Sequence, residues 1–355
     1  MSEVYLKSLN IADFIELANL ASTNYTSGGI VNINYLKWQY DQNPFGKPFM
    51  IVACESEKNE LVGQYLVIPM EYLINSKIHY GTLSLNTLTR QDYRGKGLFT
   101  QMALKTYEKC ADQNYNFTIG FPNQQSYHGL LRKLNFNHVG DVPLFVKPFK
   151  PLKILYNHLI KKGEKHGGDL PVDFESKLIN TVQFDLLSIE NDQKQYEHFW
   201  NSYLKNKKVI FNKTWEFIKW RYSDIPLRKY YLVKANKNDE IKALMIIRAE
   251  HTLGSKTGLI MDFMCLPDEI NIGKLLIRYL NKTLRQKKIE LAACFTNNNT
   301  LENNILKSNG FYTVPKRILP QPIPYMVRIN KEFDGSEQLL KLENWQLALG
   351  DYDIF

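Results

Sequence analysis

The sequence predicts an α/β protein of the α+β type, made from two tandem copies of one unit. Three observations lead there. A strand, a glycine turn and a helix follow one another directly over residues 83–103. The same order of strands and helices returns in the second half. At 355 residues, the chain is long enough to give each copy its own core.

The elements follow in order. Residues 8–21 place Ile11, Phe14, Ile15, Leu17 and Ala18 on one side of a 3.6-residue period, which predicts an amphipathic helix. Residues 49–54 form a short apolar strand. Charged residues 57–60 make a hairpin turn, and 61–69 the next strand, with 71–74 as a separate edge segment. Leu83, Leu85 and Thr87 alternate with Ser84, Asn86 and Leu88, the pattern of a central strand. After the turn, Leu98, Met102 and Ala103 mark one face of a helix over 98–109. A buried strand over 115–121 and a helix ending at Asn135-Phe136 complete the first copy. An apolar helix over 152–160 and a linker over 161–171 separate it from the second.

The second copy is read by alignment. Lys37-Trp38-Gln39-Tyr40, with Pro44, matches Lys219-Trp220-Arg221-Tyr222, with Pro226, at an offset of 182 residues (38 to 220). Each is followed by an apolar strand, a charged turn and another strand. A glycine-led strand then starts at Gly81 and at Gly258. A helix and a buried strand come next, then Asn123 and Asn297. That shared order predicts a duplication. The boundaries are 1–150 for the first copy, 151–180 for helix and linker, 181–330 for the second copy and 331–355 for an aromatic tail. The tail either docks on a surface or forms a lid over a pocket. Residues 325–329 suit a closing strand.

The formal net charge is +9, from 45 Lys and Arg against 36 Asp and Glu. It suits anionic partners, and the scattered lysines favour small anions over nucleic acid. No apolar run approaches the ~18 residues of a membrane span, and the first residues lack the features of a signal peptide. Cys54, Cys110, Cys265 and Cys294 show no metal-binding spacing, so a cytoplasmic protein with free thiols and no metal is expected.

The glycine turn is the chemical centre. It points unpaired N–H groups, and roughly +0.5 of macrodipole charge, at whatever lies before the helix. Gly95 and Gly97 allow φ > 0 and close approach, and Arg94 and Lys96 add charge. A phosphate site and a tight connection with a solvated basic flank both fit. The Walker pattern fails because no Lys-Ser or Lys-Thr follows Gly97. The Rossmann pattern fails because its third glycine is absent. In the second copy, Asp268 and Glu269 occupy the corresponding turn and would repel a pyrophosphate. That copy is read as a wall of the acceptor site or as purely structural.

Arg94-Gly95-Lys96-Gly97-Leu98-Phe99 resembles the acyl-CoA motif of the GNAT acyltransferases, Arg/Gln-x-x-Gly-x-Gly/Ala. Arg94 and Gly97 match, and Phe99 stands where the family has a small residue. The resemblance implies two GNAT-like domains, each a mixed, mostly antiparallel sheet flanked by helices. It implies acyl-CoA as co-substrate, held by Thr87, Leu88, Thr89, Arg94, Gly95, Lys96, Gly97, Leu98, Phe99, Thr100 and Asn123. Thr87-Leu88-Thr89 would be a bulged strand whose N–H near Leu88 faces the thioester oxygen. Asn123 would bond the pantetheine, and it also suits a helix cap after Pro122.

The family's acidic Tyr aligns with Leu131, so Tyr127 and His128 are the nearest substitutes. Asp262 and Glu71 are the nearest carboxylates for a base, though Asp262 also suits a buried structural role. A missing base favours an amine of low pKa, such as an amino sugar, over a protein lysine. Within the family the chain resembles tandem members that acylate nucleotide-linked amino sugars of the dTDP-3-amino-3,6-dideoxyhexose type. The alternatives are a Fem-like aminoacyl-tRNA-dependent transferase and a non-catalytic binding module.

Overall fold

The computed structural model describes residues 3–9, 14–26, 28–160, 168–252, 254–298, 300–319 and 321–352. Strand Lys77–Thr89 lies in mid-sheet, as its alternation requires, between Leu61–Ile74 and Phe117–Gly120. Across the first sheet the order runs Val4–Ser8, Phe49–Glu55, Leu61–Ile74, Lys77–Thr89, Phe117–Gly120, Pro324–Ile329, Asn137–Asp141. The second sheet, read from its far edge, runs Tyr231–Lys237, Glu240–Thr252, Ser255–Cys265, Leu291–Phe295, Leu144–Pro148, Tyr312–Thr313, with Val182–Leu186 and Lys177–Ile179 outside the first of these. Along these orders each sheet has one parallel pair, Lys77–Thr89 with Phe117–Gly120 and Ser255–Cys265 with Leu291–Phe295. Both carry a bulge in the same hairpin, between Gln64 and Leu66 and between Ile246 and Ile247. The repeat read from the sequence is thus a repeat of strand order and of local irregularity.

The two halves exchange a strand. Leu144–Pro148 belongs to the first half but pairs with Leu291–Phe295 and Tyr312–Thr313. Pro324–Ile329 belongs to the second half but fills the matching slot between Phe117–Gly120 and Asn137–Asp141. The link supplies the reason. Only Val142 and Pro143 join Asn137–Asp141 to Leu144–Pro148, with no glycine or asparagine to reverse the chain. Val142 is buried, and its N–H donates to Ile323 O at 2.9 Å.

The Lys-Trp-x-Tyr motif forms the seam. Each copy turns through one π-helical segment, Lys37–Asp41 and Lys219–Ser223. Trp38 Nε1 donates to Trp220 O at 2.7 Å, and Trp220 Nε1 donates to Trp38 O at 2.9 Å. The rings stack at 5.0 Å, both buried. This reciprocity shows that the motif recurs because the two copies face each other through it.

Two expectations change. Of residues 8–21, those from Phe14 on form helix Phe14–Ser22, residues 10–13 lie outside the described set, and Ser8 ends a strand, Val4–Ser8, that was not expected. Val4 and Leu6 pack on the core while Tyr5 is exposed, the period of two of a strand. Residues 61–74 form one strand and not two. Pro69 interrupts nothing because it falls where that side of the strand has no partner, after Phe49↔Val67 and before Phe211↔Tyr72.

From Trp345 to Leu349 the tail is built into the interior. Trp345, Leu347 and Leu349 are buried, and Trp345–Gln346 pairs in parallel with Val209–Phe211. Asn297 Nδ2 donates to Leu342 O at 2.6 Å and to Trp345 O. Between Ser255–Cys265 and Leu291–Phe295, residues 346–348 leave a space of only about 10 Å³. The expected linker residues 161–167 and the last residues 353–355 lie outside the described set.

Candidate active site

The site begins where two parallel strands stop pairing. Gly81 through Ser84 pair with Phe117 through Gly120, and beyond that point the strands part. Asn86 sits at φ 49, a left-handed conformation that Asn tolerates. Gln64 Nε2 donates to Asn86 O at 2.7 Å. Asn86 Nδ2 donates to Gln39 Oε1 and Tyr40 OH, each at 2.7 Å. Residues of the repeated motif therefore hold the bulge. It lies at Asn86–Thr87, one residue before the position expected from the sequence.

Two adjoining cavities fill the gap, an outer one of about 710 Å³ and an inner one of about 380 Å³. Thr87, Phe99, Asn123 and Ser126 line both. The outer cavity opens on the N-terminus of helix Leu98–Asp112. Gly95 and Gly97 lie at φ 78 and 77, which glycine alone adopts freely. Among the described residues no side chain caps this helix. Its first N–H groups and its dipole thus face a cavity lined by Arg94 and Lys133 and by no carboxylate.

Every residue expected to hold CoA lines the outer cavity except Lys96, whose ammonium lies 4.3 Å from the centre of the Tyr93 ring. Arg94 donates from Nε to Thr89 O at 3.1 Å and from Nη2 to Asn24 Oδ1 at 2.7 Å, tying the turn to the strand end. Asn123 caps helix Gln124–Lys133, accepting from the N–H groups of Gln125 and Ser126 at 3.0 Å. It serves as cap and as cavity wall together. Phe99 fits because Gly129 lacks a side chain: a Cβ there would lie 3.2 Å from Phe99 Cε1. Its ring meets Tyr65 edge-on at 5.4 Å.

The three catalytic candidates lie elsewhere. Tyr127 OH contacts His138 Nδ1 at 3.3 Å, and the His128 ring meets Tyr127 at 5.4 Å. Neither lines either of these two cavities, because the helix turns Asn123, Ser126 and Leu130 inward instead. Asp262 is buried in an ion cluster with Lys213 and Asp351. Burial pushes its carboxyl up to about 6, against the pull of Lys213. Glu71 accepts from Asn212 Nδ2.

The structure adds residues that sequence reasoning did not reach. Tyr25, Tyr35, Tyr65 and Tyr352 line the inner cavity, as do Ser84 and Arg228. Tyr65 OH bonds Ser84 Oγ at 3.2 Å and also Tyr107 OH. Burial pushes Tyr65 up to about 12. Tyr352 packs on Phe121 and Phe295 at 5.1 and 5.6 Å. One signal for Arg228 exists: at the offset of 182 its counterpart is Gly46, a glycine replaced by a cation.

A splayed, bulged parallel pair that meets an uncapped glycine-led helix decides the comparison. Residues 6–139 match the family model of the acetyltransferase (GNAT) domain. A GCN5-related N-acetyltransferase from Anabaena variabilis ATCC 29413 superposes with a TM-score of 0.62 at 12% identity, over 93% of this chain and 73% of that one. N-myristoyltransferase from Saccharomyces cerevisiae, solved with myristoyl-CoA, superposes with a TM-score of 0.62 at 12% identity, over 94% of this chain and 84% of that one. No curated protein matches by sequence. The matched residues fall within the first copy, and the likeness of fold extends across the second. Domain and fold together support an acyl-CoA-dependent N-acyltransferase. Among the described residues no cluster is built to hold a metal, and no helix is long and apolar enough to cross a membrane.

Proposed function

We propose that the chain moves an acyl group from acyl-CoA to the amine of a nucleotide-linked amino sugar. The observation that carries the CoA part is the uncapped, glycine-led N-terminus of Leu98–Asp112 at the mouth of two joined cavities. The pyrophosphate binds the N–H groups from Gly95 to Thr100. The pantetheine runs through the gap past Asn123. The N–H near Leu88 stabilises the oxyanion formed when a neutral amine attacks the thioester carbon. The tetrahedral intermediate expels the CoA thiolate, and the amine's proton leaves to water or to that thiolate.

The amine part rests on what lines the inner cavity. Among its described lining residues there is no Asp, Glu or His. An acceptor there reacts from whatever fraction arrives neutral. An amine of pKa ~8 is roughly 10% neutral at pH 7, whereas a lysine at ~10.4 is neutral about 0.04% of the time. Four tyrosines offer rings and hydroxyls to a sugar and its nucleotide. An aminoacyl-tRNA-dependent reaction would have no use for the phosphate cradle.

Calorimetry with acetyl-CoA, followed by thiol release over acyl-CoAs from acetyl to myristoyl and a panel of amines, tests the proposal. Binding and release with amino sugars are expected. No binding at millimolar acetyl-CoA would end the CoA reading, and release only with peptides would end the sugar reading.

A further inference from the structure

Arg228 is the one charged residue among the described residues lining the inner cavity, and it comes from the opposite half of the chain. Its guanidinium carbon lies 5.3 Å from the centre of the Tyr35 ring, also on the cavity wall. The residue before it is strained. Leu227 has φ 67, a left-handed conformation that costs a branched side chain energy. Its own side chain is 64% exposed, so burial of Leu227 does not offset that cost. The strained link directly precedes the residue that reaches the cavity. Ile225 and the Trp220 seam anchor the segment from the other side.

Among the described residues, two carboxylates lie near Arg228 without entering the cavity wall. Glu250 lies within Coulombic reach of Arg228 but is paired with Arg248, which also binds Asp169 at 2.9 Å. Neither carboxylate lines the cavity. Among the described lining residues a ligand in the inner cavity meets one positive group, four tyrosines and no negative group. CoA phosphates have their own cradle in the outer cavity, so the Arg228 charge faces the second substrate.

We propose that Arg228 anchors an anionic group carried by the acceptor, a phosphate, diphosphate or carboxylate, while the acceptor's amine reaches the bulge at Asn86–Thr87. This rests on the acyl-transfer reading of the same cavity. It also gives the second copy a function. With its own cleft filled by the tail, that copy completes the first copy's acceptor site through Arg228, and the tail adds Tyr352.

The test uses the full chain, acetyl-CoA and four amines: glucosamine, glucosamine 6-phosphate, glycine and a thymidine-diphosphate amino sugar. The native chain is expected to favour at least one anionic amine over glucosamine by about 10- to 100-fold in KM, and which one identifies the anion. Arg228→Met is expected to collapse that ratio to within about threefold, and Arg228→Lys to restore part of it. The acetyl-CoA Kd and the melting temperature report whether each variant is folded. An unchanged ratio in Arg228→Met, or no anionic preference in the native chain, overturns the proposal. Should no amine accept an acyl group, the acyl-transfer reading fails, and binding of thymidine diphosphate with CoA saturating decides the anchor. Loss of that binding in Arg228→Met supports it. Equal binding in both chains, or none in the native chain, overturns it.

Discussion

Gly97→Asp should abolish CoA binding while leaving the fold intact. A Cβ at Gly97 would meet nothing closer than Gln101 Nε2 at 3.6 Å, so the side chain has room. The φ of 77 costs a non-glycine residue about 1–2 kcal/mol, and a carboxylate at a helix N-terminus returns about 0.3–1 kcal/mol. The net stability change is therefore about 0–2 kcal/mol. Binding is affected far more. A carboxylate about 4 Å from one phosphate charge, at the effective dielectric of a protein surface, is repelled by about 4 kcal/mol, or about a thousandfold in Kd. Gly97→Ala carries the backbone strain without the charge and separates the two effects. The assay is calorimetric titration with acetyl-CoA beside a urea unfolding curve for each variant. The reasoning fails if Gly97→Asp binds acetyl-CoA as tightly as Gly97→Ala. The second copy, with Asp268 and Glu269 in the corresponding turn, already carries the charge that Gly97→Asp would introduce.

Three further outcomes are expected. Trp38→Phe or Trp220→Phe removes an indole donor from a buried carbonyl and should cost about 1–3 kcal/mol in urea unfolding. The double variant should cost less than the two single changes together, and strict additivity would contradict the reciprocal pairing. Gly350→Ala places a Cβ 2.1 Å from the buried Tyr222 hydroxyl and 3.2 Å from Met261 O. The overpacking should cost about 1–3 kcal/mol, read as a lower unfolding midpoint, and an unchanged midpoint would contradict the packed tail. Asp262 binds its proton more tightly in the folded chain, with its carboxyl raised from 3.8 to about 6 by burial. Its contribution to stability is full below pH 3.8 and is lost as pH rises through about 6. Asp262→Asn should therefore gain on the native chain between pH 4 and 7, and parallel unfolding profiles would refute the assignment.

The strand, glycine turn and helix over residues 83–103 were legible in the sequence because each rests on local periodicity and on φ preferences of single residues. The repeat was legible because Lys-Trp-x-Tyr and the order of strands survive in both halves. The outer cavity followed from these, since a strand end and a helix start adjacent in sequence are adjacent in space. The inner cavity did not follow. Tyr127 and His128 have the right chemistry for proton transfer, yet the rotation of their helix is set by Leu130 and Leu134 packing inward, a contact that residue type alone does not reveal. Strand exchange was equally hidden. Leu144–Pro148 and Pro324–Ile329 are apolar segments whose patterns suit either sheet, and only the short Val142-Pro143 link and the packed seam decide which edge each joins. Arg228 and Tyr352 reach the site through contacts more than a hundred residues distant in the chain. Such contacts depend on how the two halves dock, so the tertiary structure alone determines them.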